Sequence, residues 1–178
     1  HSEMFGGVDC YFAPFITPSD NEKVNKKGIR DILPENNLPK VMPQVLVNSS
    51  MSFLKFCKKI SEKGYKDINI NLGCPSSTVV RKGRGSGFLK EPDKLDAFFS
   101  EIFDDTDMSV SVKTRIGYSS PDEFEKLMEI YNSYPLSELI IHPRTREDFY
   151  KGTPDDGAFC TAYNNTKHNQ IGRASCRE

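Results

Sequence analysis

Cys74, just after a short apolar run, is the first residue whose type and position could do chemistry. A nucleophilic thiol needs a neighbouring base, but two of the three histidines, His1 and His168, lie near the ends of the chain. Metal binding would need partner cysteines at short spacing, and these are missing. A general acid needs only a protonated thiol, which an unperturbed cysteine with a pKa of about 8.5 provides at pH 7. Proton donation therefore requires the fewest neighbouring groups, and an inert thiol is the remaining alternative.

The loop that follows Cys74 combines glycines with basic side chains. Glycines let backbone N–H groups approach a phosphate closely, and the basic side chains add positive charge. A solvated, flexible surface loop is the alternative interpretation of the same composition. The interleaved residues are Gly83, Gly85 and Gly87 with Arg81, Lys82, Arg84 and Lys90.

Further polar side chains lie in other apolar runs. Lys113 and Arg115 are two residues apart in SVKTRIG, which puts them on one face of a strand. His142 and Arg144 have the same spacing in IIHPRTR. Because a buried cation is costly unless it meets an anion, Lys113 and Arg115 predict contact with a phosphate or an electron-rich ring, and structural ion pairing is the alternative. For His142 the alternative is a purely structural role. Gln44, in the run VMPQVLV, must be hydrogen-bonded if buried and could read the edge of a ring.

The elements that position these residues alternate between strand and helix. Each predicted strand is a short apolar run bounded by turn residues, and each helix has an apolar face. The segment 18–40 is predicted to be an extended loop with one helical turn. The predicted strands are Val8–Ile16, Val41–Val47, Asp67–Leu72, Met108–Thr114 and Glu138–His142. The predicted helices are Ser50–Lys63, Pro92–Phe103 and Pro121–Asn132.

The strand spacing predicts an α/β fold with parallel strands. Strand starts recur about every 32 residues, which is the length of one βα unit. The GxGxxG fingerprint of a dinucleotide-binding open sheet is missing after the first strand. Polar residues at the ends of several different strands, Asn71 among them, favour a (β/α)₈ TIM barrel. A complete barrel needs about 250 residues, so we expect a partial barrel with about five of its eight strands.

Composition and charge exclude several classes of protein. The 178 residues are 37% hydrophobic and 28% charged, unlike a disordered chain or a membrane protein. No run approaches the about 18 apolar residues of a spanning helix, and no apolar leader suggests secretion. A net charge of −1 argues against a self-sufficient nucleic-acid-binding domain. Five cysteines without a CxxC pair predict reduced thiols, a cytoplasmic location and no metal site.

Several segments, taken together and in order, resemble the tRNA-dihydrouridine synthases, which are flavin enzymes built on a TIM barrel. The resemblance covers residues 4–156 and depends on the combination, since no single segment would suffice. The segments with the closest resemblance are NINLGCPSSTVVRKGRGSGFL, SVKTRIG and LIIHPRTREDFYKGTP. FGGVDCYFAPFITP and MPQVLVN fit the family's second and third strands.

The resemblance implies reduction of the C5=C6 bond of uridines in tRNA, with FMN as cofactor and NADPH as reductant. Hydride would go to C6, and Cys74 matches the cysteine that protonates C5. The implied flavin contacts are Gln44, Lys113 and His142, and Asn71 would contact the flavin or the target base. The target base must leave its stack, so base flipping is implied. The implied tRNA contacts are Arg144, Arg81, Lys82, Arg84 and Arg115.

The chain also departs from the family pattern. Ala13-Pro14-Phe15 matches the second strand, so the family's first strand is expected to be missing, as are its last strands and its C-terminal helical domain. We therefore expect residues 1–156 to form a partial catalytic barrel that is inactive and poorly folded alone, because both sheet edges would be open. Residues 157–178 match poorly, and Gln170–Glu178 resembles a translated sequencing adapter.

Two other functions compete with this hypothesis. One is a flavin-dependent barrel dehydrogenase that acts on a free pyrimidine or another small metabolite. The other is a broken gene product or an RNA-binding remnant without catalytic activity. No membrane, metal or obligate protein partner is expected in any of these interpretations.

Overall fold

A parallel sheet forms the centre of the chain in a computed structural model, which describes residues 7–18, 29–33, 41–168 and 171–173. The strands lie side by side in chain order, and every neighbouring pair is parallel. The strands are β1 (Tyr11–Ile16), β2 (Val41–Val45), β3 (Asp67–Leu72), β4 (Ser109–Gly117), β5 (Glu138–Thr145) and β6 (Ile171–Arg173). The helices are α1 (Ser50–Ser61), α2 (Ser77–Val80), the 3₁₀ helix η1 (Gly85–Lys90), α3 (Pro92–Asp105), α4 (Glu123–Asn132) and α5 (Asp156–Asn165).

The predicted α/β fold, a partial (β/α)₈ barrel, is confirmed. The five predicted strands correspond to β1–β5, and helices α1, α3 and α4 lie between them as expected. Two strands extend three residues beyond their predicted ends, because β4 and β5 go on pairing as far as Gly117 and Thr145. The extension carries Arg115 and Arg144 into the sheet, where Arg115 pairs with His142 and Arg144 lies at a register shift between β4 and β5.

Helix α1 shows how local sequence sets these elements. The Ser49 hydroxyl accepts a hydrogen bond from the Ser52 backbone N–H at 3.2 Å, which satisfies one otherwise unpaired donor of the first turn. Gly64 follows the helix with φ of 89°, a left-handed conformation that glycine adopts without steric cost. Apolar side chains on one face of the helix, including Phe53 and Ile60, are fully buried.

An aromatic cluster binds the outer helices to one another. Phe98 of α3 makes edge-to-face contacts with Phe53 of α1 and Phe88 of η1, with ring centroids 6.0 and 5.4 Å apart. Phe99 contacts Tyr131 of α4, with centroids 6.1 Å apart. Such pairs contribute about 0.5–1.5 kcal/mol beyond the burial of their area. The cluster therefore secures η1, and with it the loop after β3, against the helical layer.

The glycine-rich loop is ordered, and its interpretation as a solvated surface loop is wrong. It contains α2 and η1, and residues 85–89 are all buried. Gly85 has φ of 54°, and a Cβ there would lie 2.8 Å from the Cys74 carbonyl oxygen. At Gly87 a Cβ would lie 2.6 Å from the Val80 carbonyl oxygen. Gly85 therefore allows close packing against the turn that carries Cys74, and Gly87 allows close packing against the end of α2.

The structure adds elements at the carboxyl end that the sequence pattern did not predict. Helix α5 begins after Asp155, whose Oδ1 accepts a hydrogen bond from the Ala158 backbone N–H at 2.9 Å. Strand β6 then pairs with β5, with Leu139 opposite Ile171. Cys176 and most of the segment interpreted as an adapter lie outside the described residues, and the boundary at residue 156 stays a prediction.

The predicted loop 18–40 is described only at its start and at residues 29–33. Residues 29 and 30 are helical, and the Ile32 backbone N–H donates to the Ile29 carbonyl at 3.2 Å, which is the single turn that was expected. Ile32 is fully buried in the core. Within the described residues, no helix combines the length and apolar character needed to cross a bilayer.

Candidate active site

Six of the predicted site residues converge on one pocket at the carboxyl ends of the strands. The strand register places Asn71 opposite Lys113 and Arg115 opposite His142. The pocket has a volume of about 380 Å³. It is lined by Phe12, Gln44, Asn71, Gly73, Cys74, Pro75, Lys113, Arg115, Ile140, His142 and Tyr150. This position is where barrel enzymes place their reacting groups.

Side-chain amides form a connected network on the inner side of the pocket. The Gln44 Nε2 donates to Asn69 Oδ1 at 2.8 Å, and Asn71 Nδ2 donates to Gln44 Oε1 at 2.9 Å. Asn69 continues the network by donating to the Ser111 hydroxyl at 2.8 Å. All four side chains are buried, so each bond replaces water that the group has lost. The network fixes the orientation of Gln44, which keeps one donor and one lone pair for a further partner.

Asn71 connects this network to the cysteine. Its Oδ1 accepts hydrogen bonds from the Gly73 and Cys74 backbone N–H groups at 3.0 and 2.9 Å. The amide therefore shapes the turn at the end of β3, and the turn places the half-buried Cys74 on the pocket wall. Cys74 is a free thiol.

Cys57 illustrates a contrasting environment for a thiol. It is 4% exposed on α1, and burial raises its pKa to about 12. The thiolate is the nucleophilic form, so Cys57 is chemically inert near neutral pH. It is a small apolar core residue, whereas Cys10 and Cys74 are half-buried and Cys160 is exposed.

Arg115 is the most deeply buried charged side chain of the pocket, with 1% of its surface exposed. Its Nε donates to the Gly73 carbonyl at 2.9 Å, and its Nη1 donates to the Thr145 and Phe149 carbonyls at 2.7 and 2.6 Å. These bonds join the loops that follow β3 and β5. Arg115 therefore organises these loops, and its predicted contact with tRNA stays a prediction.

Arg144 and His142 form a pair at the end of β5. Arg144 Nη1 lies 2.9 Å from His142 Nε2, and its other nitrogens donate to the Lys151 and Gly152 carbonyls at 3.2 and 3.0 Å. A guanidinium nitrogen can only donate, so His142 Nε2 must accept and this buried ring carries its proton on Nδ1. Arg144 lies outside the pocket lining, and its predicted contact with tRNA stays a prediction.

The basic residues of the loop after β3 also lie outside the pocket lining. Arg84 Nε donates to Asn48 Oδ1 at 3.2 Å, and Asn48 Nδ2 donates to the Lys82 carbonyl at 3.0 Å. Arg84 Nη2 is 3.5 Å from the Pro18 carbonyl oxygen. These bonds connect the loops after β1, β2 and β3, whereas the side chains of Arg81 and Lys82 are exposed. The predicted contacts of Arg81, Lys82 and Arg84 with tRNA stay predictions.

Three polar residues of the site escaped the sequence analysis: Asn69, Ser86 and Ser111. Asn69 and Ser111 lie two residues before Asn71 and Lys113, so the alternation of a strand would have placed them on the same face. Ser86 had no such signal, because its contact with Cys74 depends on the path of the loop. The described residues hold no group of three or more side chains suited to a metal ion.

The fold and site define the chain as part of a (β/α)₈ barrel with a candidate active site at its strand ends. The family model for dihydrouridine synthases matches residues 3–158, and the chain belongs to this family.

Curated relatives carry related names. A "Probable tRNA-dihydrouridine synthase" of Staphylococcus aureus strain Mu50 is 36% identical over 96 residues, covering 52% of this chain and 28% of the relative. A "Probable tRNA-dihydrouridine synthase 2" of Bacillus subtilis strain 168 is 34% identical over 149 residues, covering 82% of this chain and 45% of the relative. The chain thus spans less than half the length of either relative.

Proposed function

We propose that the whole protein, of which this chain covers a part, reduces uridine to 5,6-dihydrouridine in tRNA, with FMN as cofactor and NADPH as reductant. The family membership supports reduction of uridine, and the tRNA substrate follows from the names of the relatives. The single observation that carries the proposal is the pocket in which Cys74 lies beside Gln44, Lys113 and His142.

The lining of this pocket fits a flavin ring. Phe12 and Ile140 offer apolar surface for a flat ring, and Gln44 retains a donor and an acceptor for a heteroaromatic edge. Lys113 is half-buried and supplies positive charge, which suits an electron-rich ring. His142 lies in the same pocket lining and would contact the ring. Reduced flavin, when bound, supplies the hydride that goes to C6 of the uracil.

The chain's own residues supply the matching proton. Cys74 Sγ donates its proton to C5, so that one hydride and one proton saturate the C5=C6 bond, and the thiolate recovers a proton from water. The Asn71 bonds to the turn hold the thiol at the pocket wall, where a flipped-out base can reach it. This arrangement asks for a protonated thiol and for no neighbouring base.

The exposed basic residues of the loop after β3 would bind the RNA substrate. Arg81 and Lys82 are exposed on the loop after β3, and we propose that they contact tRNA phosphates. Arg84 would support this surface by holding the loops, and Arg144 would add a further contact with tRNA. A tRNA-modifying enzyme of this kind is cytoplasmic, and the proposal requires neither a metal ion nor an obligate protein partner.

The test is to purify the full-length protein, identify its bound flavin by mass spectrometry, and assay it with NADPH on unmodified tRNA and on free pyrimidines. We expect stoichiometric FMN, dihydrouridine in tRNA, and no reduction of free uracil or uridine. A flavin-loaded protein that reduces a free pyrimidine but leaves tRNA unchanged would overturn the proposal in favour of a metabolite dehydrogenase. Flavin-free protein without activity on either substrate would also contradict it.

A further inference from the structure

Ser86, twelve residues after Cys74, makes two hydrogen bonds to the same backbone atom of the cysteine. Its hydroxyl donates to the Cys74 carbonyl oxygen at 2.8 Å, and its backbone N–H donates to that oxygen at 3.1 Å. The serine is fully buried. A buried hydroxyl needs a partner, and here the partner is the peptide group of the proposed proton donor.

The surrounding loop is built so that this contact can form. A Cβ at Gly85 would come within 3.0 Å of the Cys74 Cβ and the Val79 Cγ1, so only glycine lets η1 approach so closely. Gly87 permits an equally close approach to Val80. Ser86 lies between these glycines, and its hydroxyl is thereby brought to the cysteine peptide.

The other peptide groups around Cys74 are held independently. Asn71 accepts from the backbone N–H groups of Gly73 and Cys74, and Arg115 donates to the Gly73 carbonyl. With Ser86 on the Cys74 carbonyl, the peptide groups on both sides of the cysteine are fixed. The direction of the thiol is then set by rotation about a single bond, Cα–Cβ.

We propose that Ser86 is a positioning residue that holds the Cys74 thiol in the direction needed for proton donation. This inference rests on the proposed function, in which Cys74 protonates the uracil. Ser86 touches neither flavin nor base in this scheme. The Ser86 hydroxyl acts through the cysteine backbone. Loss of this hydroxyl therefore lowers the rate of proton transfer more than it weakens the binding of tRNA.

The first experiment compares Ser86→Ala with wild type in the full-length, flavin-loaded protein under saturating NADPH. We expect kcat for dihydrouridine formation to fall about fivefold, with KM for tRNA unchanged, since the net effect of one hydrogen bond corresponds to roughly that factor. The matched control is Ser76→Ala, which removes an exposed hydroxyl of the same loop whose partner is Thr78. This control keeps wild-type kcat. An unchanged kcat in Ser86→Ala, or an equal fall in the control, would overturn the inference.

A double-mutant cycle separates positioning from general destabilisation. In a Cys74→Ser background, Ser86→Ala should lower the residual kcat by less than about twofold, because the group that it positions is already gone. A second fivefold loss in that background would show that Ser86 acts independently of the thiol, which contradicts the inference.

Alkylation of Cys74 tests the same contact without reference to activity. We expect Ser86→Ala to raise the rate at which iodoacetamide modifies Cys74 about threefold, because the loosened turn exposes the thiol more often. The rate is measured by peptide mass spectrometry. An unaltered rate would contradict the positioning role. Full activity in Cys74→Ala would refute the proposed role of Cys74 as proton donor. The alkylation rate would still show whether Ser86 holds the Cys74 thiol in place.

Discussion

Asn71→Ala is the change that most directly tests how the turn at Cys74 is held. The substitution removes the Oδ1 acceptor of the Gly73 and Cys74 backbone N–H groups and the Nδ2 donor to Gln44. Asn71 is 7% exposed and Gly73 is buried, so water does not simply replace the lost partner. In the variant, the turn opens more often than in the wild type and exposes these two backbone N–H groups to solvent.

The expected acceleration of amide hydrogen exchange follows from the free energy of the lost hydrogen bonds. Loss of a partner for a buried donor costs about 1–3 kcal/mol, and each 1.4 kcal/mol corresponds to a tenfold change in an equilibrium. Exchange of the Gly73 and Cys74 amide hydrogens should therefore accelerate by about ten- to a hundredfold. Amides in the centre of β4, such as that of Val112, should keep their wild-type rates because they do not depend on this side chain.

Native-state hydrogen exchange of the full-length protein, resolved to single residues, is the assay. Asn71→Asp is a partial control, since it keeps an oxygen acceptor for both backbone groups but loses the donor to Gln44, and it should retain more of their protection than Asn71→Ala. Asn48→Ala removes an exposed amide of a neighbouring loop and should leave both rates unchanged. Exchange at Gly73 and Cys74 within threefold of wild type in Asn71→Ala would refute the reasoning.

Three further predictions concern the same region and the core. Gly85→Ala should lower kcat at least tenfold because its Cβ would meet the Cys74 carbonyl at 2.8 Å, whereas Gly64→Ala, also at positive φ but in open space, should leave kcat unchanged. Burial raises the pKa of Cys57 to about 12, so iodoacetamide at pH 8 should modify Cys74 and spare Cys57. Modification of Cys57 in the folded protein, detected by peptide mass spectrometry, would contradict this prediction. Burial raises the pKa of Glu138, so the folded chain binds this proton more tightly and stability falls as pH rises above the usual carboxyl range. Glu138→Gln should therefore raise the Tm at pH 7 and leave it unchanged at pH 3.5, and an equal shift at both values would count against it.

The strands and main helices were predictable because their signals are local. The alternation of Asp67–Leu72 and the apolar face of Ser50–Ser61 can each be recognised within a dozen residues. The convergence of Gln44, Lys113 and His142 also followed, since parallel strands bring their carboxyl ends to one edge. For these features, position along the strand was sufficient information.

The loop after β3 shows what the sequence alone could not specify. Its glycines suggested a phosphate-binding or solvated segment, but Gly85 and Gly87 serve close packing, which depends on how the loop folds back over the turn. The partners of Arg115 lie 30 to 42 residues away and are backbone carbonyls, which carry no sequence signal. Burial of its guanidinium therefore became visible only in three dimensions.

The most direct test of the central claim is the amount of dihydrouridine in tRNA formed by full-length Cys74→Ala, measured by mass spectrometry beside wild type and Cys160→Ala. Cys160 is a free, exposed thiol far along the chain from the pocket and serves as the matched control. We expect Cys74→Ala to bind FMN normally but to lose at least a hundredfold in the rate of dihydrouridine formation, while Cys160→Ala equals wild type. Wild-type rates of dihydrouridine formation in Cys74→Ala would contradict the assignment of Cys74 as the proton donor.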